Sequence, residues 1–189
     1  MKRLEIDFNL NGIDVLVSLA RYQFALRTVN NSDIKVLDFG CGSGYGSKIL
    51  KEKYNDVVSF DVYPDGYSPK GLDVVNETTS FEENMFDMIT CFEVIEHVDD
   101  AMQHSLMQDL YKWIKPNGSL FISTVRKMDP PPTENRKIEH VKELSYQELY
   151  DHCSKHFHNV YTFGQVDQVI STFYPENQYY FVFICTGNK

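Results

Sequence analysis

Lys35-Val36-Leu37-Asp38-Phe39-Gly40-Cys41-Gly42-Ser43-Gly44-Tyr45-Gly46 is the stretch whose reading decides the fold. Apolar and β-branched residues run almost unbroken from Lys35 to Phe39, the pattern of a short buried strand, and stop at a glycine cluster. Ile49, Leu50 and Tyr54 then recur at helical spacing. A glycine loop between strand and helix lets a ligand approach the backbone and sets it beside the free N–H groups of the helix N-terminus. The dinucleotide pattern G-x-G-x-x-G is not met, because Tyr45 stands sixth from Gly40. An acidic residue two places before G-x-G-x-G suits instead a ligand with a cationic amine and no pyrophosphate: Asp38 near the ammonium, Gly40 and Gly42 passing beneath it.

Outward from this loop the strand–helix alternation continues. Val57 to Asp61 reads as a second strand, and Asp61 at its end can accept both hydroxyls of a ribose, which implies a nucleoside. Phe86 to Phe92 is another strand, with a short one concealed near Leu72-Asp73-Val74. Met102, Leu106, Leu110, Trp113 and Ile114 form a helical stripe that ends at the turn Pro116-Asn117-Gly118, before a strand from Ser119 to Val125. Upstream, Ile13, Leu16, Val17, Ala20 and Phe24 predict an N-terminal helix with Arg21 and Arg27 turned away from its apolar face. Downstream, the prolines at 130–132 make 128–140 a stiff exposed loop, and Ser145-Tyr146-Gln147-Glu148 is a capping box opening a helix to about His156. Asn159 to Phe163 and the aromatic run Tyr179 to Cys185 are strand-like. The alternation predicts one α/β domain over 1–189, with residues 1–30 as a helical cap.

Composition narrows the partners. The chain has 189 residues, with 18 Lys plus Arg against 27 Asp plus Glu, a net −9 that repels a long phosphate backbone. The cysteines at 41, 91, 153 and 185 show no zinc or disulfide spacing, which fits a reducing cytosol, and no apolar run approaches the ~20 residues of a membrane span. The expectation is a cytoplasmic protein with no membrane partner.

In order along the chain, Val36 to Gly44, Phe60-Asp61, Phe86 through Glu93-Val94-Ile95-Glu96-His97-Val98, and Leu110 through Lys115-Pro116-Asn117-Gly118-Ser119-Leu120 resemble the motifs of class I S-adenosylmethionine-dependent methyltransferases. The resemblance covers about Lys35 to Thr124. It implies a Rossmann-like, doubly wound, seven-stranded sheet, mostly parallel with an antiparallel last strand. It implies S-adenosylmethionine as cofactor, with Gly40, Gly42 and Gly44 along its methionine half, Asp61 on the ribose, Asp73 near the adenine and Phe92 closing the sulfonium side. Gly44 and Gly46 have the rival reading of turn and packing residues, and Asp73 that of a surface aspartate.

Glu93, Glu96 and His97 follow the fourth strand, and His140 stands in the loop after the fifth. Imidazole takes a proton near neutral pH, so His97 and His140 are the candidate catalytic bases for a hydroxyl acceptor. The segment resembles one found in small-molecule O- and N-methyltransferases that bind no metal, and the leading reading assigns none: transfer of a methyl group to an oxygen or nitrogen of a small-molecule acceptor. The small-RNA 3′-terminal 2′-O-methyltransferases look similar here too, which implies, as an alternative, a divalent ion on Glu93, Glu96, His97 and His140 and an RNA end as acceptor. A catalytically silent cofactor-binding interaction protein is a third reading.

Overall fold

The computed structural model describes residues 8–62, 71–131 and 133–189, with side chains from Asp14 onward in the first segment. Helix α1 (Phe8–Thr28) leads into strand β1 (Lys35–Phe39), helix α2 (Tyr45–Lys51), β2 (Asp56–Phe60), β3 (Val74–Val75) and β4 (Phe86–Phe92). Helix α3 (Asp100–Trp113), β5 (Ile114–Val125), α4 (Glu134–Glu139) and α5 (Tyr146–His156) follow, and β6 (Phe157–Val166), β7 (Val169–Ser171) and β8 (Tyr180–Asn188) close the sheet.

The strands lie in the order β3-β2-β1-β4-β5-β8-β6-β7. Pairings from β3 through β5 are parallel. β8 runs antiparallel to both β5 and β6, and the short β7 folds back antiparallel on β6. The sheet is therefore the expected doubly wound, mostly parallel one, with eight strands instead of seven because the β6–β7 hairpin adds an edge. Core residues on both faces explain why β1 and β4 read as apolar runs. Met107, Leu110, Trp113, Leu149 and Phe157 pack on one side, and Tyr22, Ala25, Leu50 and Tyr54 on the other. Chain order reverses at β1, between β2 and β4, so a crevice opens at the carboxyl ends of these strands, where sheets of this kind bind ligands.

Local chemistry sets the helix ends. The predicted capping box is complete: Ser145 Oγ accepts the Glu148 N–H at 3.3 Å while Glu148 accepts the Ser145 N–H at 2.7 Å. Asp99 caps α3 by accepting the Met102 N–H at 2.9 Å.

Four sequence expectations are corrected. The predicted apolar face of α1 is rotated: Val15, Val17, Ser18, Arg21, Tyr22 and Ala25 are buried, and Leu16 is exposed. The helix lies across the crevice, so its inward face carries polar residues and hydrophobicity does not mark it; Ile13's side chain lies outside the described residues. Pro116-Asn117-Gly118 is not a turn before a new strand but an irregularity inside β5, where the register passes from Phe86–Ile114 to Met88–Ser119. Met102 is exposed and does not continue the buried stripe of α3. The 128–140 loop contains α4, because Thr133, just beyond the prolines, caps it by accepting the Arg136 N–H at 3.1 Å; Pro132 lies outside the described residues. All four cysteines are buried, and among the described residues no helix is long and apolar enough to cross a membrane.

Candidate active site

A cavity of about 560 Å³ occupies the carboxyl edge of β1, β2 and β4. Its floor is the β1–α2 loop. Gly40 and Cys41 both donate their N–H groups to the Phe60 carbonyl, at 2.8 and 2.9 Å, which pins the loop to the end of β2. Gly40 takes φ +78°, and a Cβ there would overlap Val94. Gly42 takes φ +54° with nothing within 4 Å of where a Cβ would stand, so its missing side chain leaves the cavity open. Its N–H donates to Asp61 Oδ2 at 2.7 Å, which sets the Asp61 carboxylate beside the loop. Gly40, Gly42, Asp61 and Phe92, four of the residues the sequence singles out for the cofactor, all line the cavity.

The other predicted cofactor residues stand apart from it. Asp38 lies fully buried under the loop and accepts from Tyr22 Oη at 3.1 Å, Ser47 Oγ at 2.5 Å and Thr90 Oγ1 at 2.8 Å. Burial pushes its carboxyl up, and the three hydroxyls pull the other way. It braces the loop from below and does not reach the cavity. Gly44 is the left-handed N-cap of α2, φ 81°, a turn role. Gly46 is a packing glycine: a Cβ there would run into the Tyr22 ring, which also stands edge-on to Phe92 with centroids 5.0 Å apart. Asp73 is exposed, one residue before β3 begins, below the carboxyl edge and outside the cavity lining. A surface aspartate is what the structure shows there.

At the other end of the cavity the Glu-Val-Ile-Glu-His segment forms a tight corner. Glu93 has φ +56°, a conformation rare for a side-chain-bearing residue, and its carboxylate accepts from Ser123 Oγ at 2.7 Å. Glu96 is fully buried; one carboxylate oxygen accepts from Thr124 Oγ1 at 2.9 Å, and the other, Oε1, has no hydrogen-bond partner. Burial first, then the neighbouring Glu93 charge, push its carboxyl well above the usual range. His97 Nδ1 lies 2.8 Å from the Glu139 carbonyl, and His140 Nδ1 2.6 Å from Glu143 Oε1. Both acceptors require a proton on Nδ1, so in the neutral ring each Nε2 carries a free lone pair.

The two rings lie 5.2 Å apart in an edge arrangement, and ligand atoms of Glu96, His97 and His140 all fall within 4.8 Å of one another. Glu93 stands outside this trio. Glu143 is itself held by Arg136 and by the Met128 N–H at 3.1 Å; these bonds outweigh its burial and keep its carboxyl below the usual value. Two imidazoles oriented through Nδ1 and one carboxylate with an unused buried oxygen are a donor set that fits a divalent transition metal.

The structure also brings in residues that no motif marks. Ser18, Arg21 and Tyr22 from α1 and Ser105, Leu106 and Asp109 from α3 line the same cavity. The α1 residues were legible only in the alternative helical phase Val15, Ser18, Tyr22, Ala25.

Comparison with known proteins places this geometry. A profile described as a methyltransferase domain matches residues 16–165. The chain is 31% identical over 128 residues to a phosphoethanolamine N-methyltransferase of Plasmodium falciparum, covering 61% of this chain and 48% of that protein. It is 33% identical over 134 residues to a ubiquinone biosynthesis O-methyltransferase of Pseudomonas entomophila, covering 62% and 50%. The chain thus spans about half the length of these curated relatives. Among solved structures, one from Thermotoga maritima, described as an S-adenosylmethionine-dependent methyltransferase and possible histamine N-methyltransferase, superposes with a TM-score of 0.72 at 17% identity, covering 92% of this chain and 90% of that one.

Proposed function

This chain belongs to the S-adenosylmethionine-dependent methyltransferase domain family, and we propose that it is an enzyme moving a methyl group from S-adenosylmethionine to an oxygen or nitrogen of a small-molecule acceptor. We read the whole chain as one such domain. The observation that carries the reading is the pairing of Gly42 and Asp61 at the cavity floor: an open backbone edge with a carboxylate hydrogen-bonded beside it, which suits the methionine half and the ribose of one ligand. Relatives named for an N- and for an O-acceptor support the breadth of the acceptor class without choosing within it.

The cofactor supplies an activated methyl group; the chain's residues hold and orient. Gly40 and Gly42 leave room along the backbone, Asp61 accepts ribose hydroxyls, and Phe92 covers the side at which the methyl is transferred. Alignment of acceptor and methyl with water excluded is worth about 7–11 kcal/mol in well-positioned reactions. For a hydroxyl acceptor, the free Nε2 of His97 or His140 takes the proton.

The test is calorimetric titration of S-adenosylmethionine and S-adenosylhomocysteine into the wild type and Asp61→Ala, with and without Mn²⁺ and after chelation. Binding by the wild type, weakened strongly in Asp61→Ala, supports the reading; binding of equal strength in both refutes the role of Asp61.

A second reading is favoured by one specific observation, the Glu96, His97 and His140 trio with its unpartnered Glu96 Oε1. A divalent ion there would supply a positive charge beside an acceptor hydroxyl, as in a metal-assisted enzyme acting on an RNA 3′ end. The net −9 opposes extended nucleic acid but not a terminal nucleotide. A separate Mn²⁺ binding signal, lost in Glu96→Gln, supports this reading; its absence leaves the metal-free one.

A further inference from the structure

Among the described residues that line the cavity, the carboxyl groups of Asp61, Glu93, Glu96, Asp109 and Glu139 stand against one guanidinium, that of Arg21. Glu93, Glu96 and Glu139 gather at the corner that also holds His97 and His140, so a negative field acts where hydrogen-bond acceptors converge. His97 and His140 each spend the Nδ1 proton, on the Glu139 carbonyl and on Glu143 Oε1, and each neutral ring keeps Nε2 as an acceptor. Glu96 is fully buried, with Oε2 held by Thr124 and Oε1 without a partner. Burial and the Glu93 charge push its carboxyl up; the Arg21 charge opposes them with less effect and leaves Oε1 unbonded. Ligand atoms of Glu96, His97 and His140 fall within 4.8 Å of one another, and the trio supplies acceptors but no spare donor. Acceptors set tetrahedrally at about 2.9 Å from one nitrogen stand about 4.7 Å apart, so a trio of this span can close on a single ammonium.

We propose that the methyl acceptor is a primary amine, received at this corner as an ammonium that donates one N–H each to Glu96, His97 and His140. The inference rests on the cavity being the methyltransferase site. An ammonium brings three donors and the positive charge that the surrounding carboxylates favour. A hydroxyl brings one donor and would leave two of the acceptors unpaired, which weakens its hold on a buried site. For transfer, the ammonium gives one proton to an imidazole Nε2, and the lone pair so freed attacks the methyl carbon. The new N–C bond forms as the S–C bond breaks, the electron pair of the broken bond stays on sulfur, and the products are the methylated ammonium and the neutral thioether.

The experiment titrates propylamine, propan-1-ol and propyltrimethylammonium separately into the S-adenosylhomocysteine-saturated protein, with a chelator present, in the wild type and Glu96→Gln. Propan-1-ol keeps the shape without the charge, and propyltrimethylammonium keeps the charge without the N–H donors. The readout is the ratio of affinities, which general damage to the fold does not change. Propylamine should bind the wild type about tenfold or more tightly than either analogue, and Glu96→Gln should bring the ratios to within about threefold. Propan-1-ol bound as tightly as propylamine overturns the proposal. Equal binding of propyltrimethylammonium overturns it too, because net charge and not the trio would then select the ligand. A preference that survives intact in Glu96→Gln removes Glu96 from the site, and where that variant does not fold the wild-type ratios decide. With the chelator omitted, an Mn²⁺ signal lost in Glu96→Gln and no preference for the amine overturns the proposal in favour of a metal. A wild type that does not bind S-adenosylhomocysteine refutes the cofactor reading instead, and the same ratios, measured without nucleoside, then decide the corner alone.

Discussion

The glycines of the β1–α2 loop divide by what an added methyl group would meet, and alanine substitutions at positions 42 and 46 should separate binding from stability. At Gly42 a Cβ points into open cavity, and the only penalty to the folded protein is the left-handed φ of +54°, about 1–2 kcal/mol for a non-glycine residue. For a chain of this size that lowers Tm by roughly 2–8 °C, at 2–4 °C per kcal/mol. On the proposed function the methyl would stand where the methionine half of the cofactor passes, so S-adenosylhomocysteine affinity should drop about tenfold or more, on the order of 1.4 kcal/mol or above. At Gly46 the added methyl would fall inside the Tyr22 ring, far closer than the ~3.5 Å that non-bonded carbons keep. Tyr22 cannot yield freely, since its hydroxyl is tied to Asp38 and its ring is packed on Phe92 and Tyr45. Overpacking of this kind costs about 1–3 kcal/mol, and α1 must shift off the site. The assay is a thermal melt of each variant with and without saturating S-adenosylhomocysteine. Gly42→Ala should keep most of its apo Tm and lose the ligand-induced rise. Gly46→Ala should lose more apo Tm. The reasoning is refuted if Gly42→Ala retains the full ligand-induced rise, or if Gly46→Ala melts with the wild type.

His140→Ala should leave S-adenosylhomocysteine binding within about twofold and slow turnover of a hydroxyl acceptor by about 10²-fold or more, the usual contribution of a positioned base; weakened binding at unchanged turnover would place His140 outside the chemistry. Ser145→Ala should cost about 1 kcal/mol by removing an N-cap, and lower Tm by roughly 2–4 °C. Glu148 in the same capping box has its carboxyl held below the ordinary 4.5, chiefly by the Ser145 N–H, with burial opposing. A depressed folded-state value contributes stability that is present above the unfolded value and lost as pH falls through the folded one. Glu148→Gln should therefore lower Tm at pH 7 and flatten the decline below about pH 4.5, so that the two curves converge in acid; an unaltered acid limb would show that the box does not hold in solution.

What the sequence made legible was the half of the site built from backbone geometry. Glycines at 40 and 42, and carboxylates at strand ends such as Asp61, have spacing-dependent signatures because a loop after a strand can turn in few ways. Asp38 matched its motif yet supports the loop from beneath, because one-dimensional spacing does not show which face of a strand end a side chain takes. Asp73 fell one residue short of a two-residue strand, the kind of element whose start periodicity cannot locate. The buried face of α1 departs from the predicted one for a physical reason. A helix that roofs a ligand cavity turns Ser18, Arg21 and Tyr22 inward, so its buried face is less apolar than its exposed Leu16 suggests. His140 could be placed only in the loop after β5; its approach to His97 depends on α4, whose cap at Thr133 was hidden behind the prolines.

Several charged side chains in and beneath this cavity share a manner of support that bears on how it works. Asp38 is held by the hydroxyls of Tyr22, Ser47 and Thr90, Glu93 by Ser123, Glu96 by Thr124, Asp61 by the Gly42 N–H, and Arg21 by Ser18 and Gln165. These named bonds all come from neutral groups. Had acid and base been paired directly, their fields would cancel within the site and each would be spent on the other. Glu143 shows the contrast: outside the cavity lining, it is neutralised by Arg136 and serves to aim His140. Neutral dipoles fix the direction of a charge while leaving its sign available to a ligand. Burial in surroundings of low dielectric makes that charge count for more than it would at the surface. The expense appears as raised carboxyl pKa values at Asp38 and Glu96 and an orphaned guanidinium N–H at Arg21. A chain shaped for stability alone would have paired or replaced such groups, so their concentration at one edge of the sheet is itself the argument that this edge binds something charged.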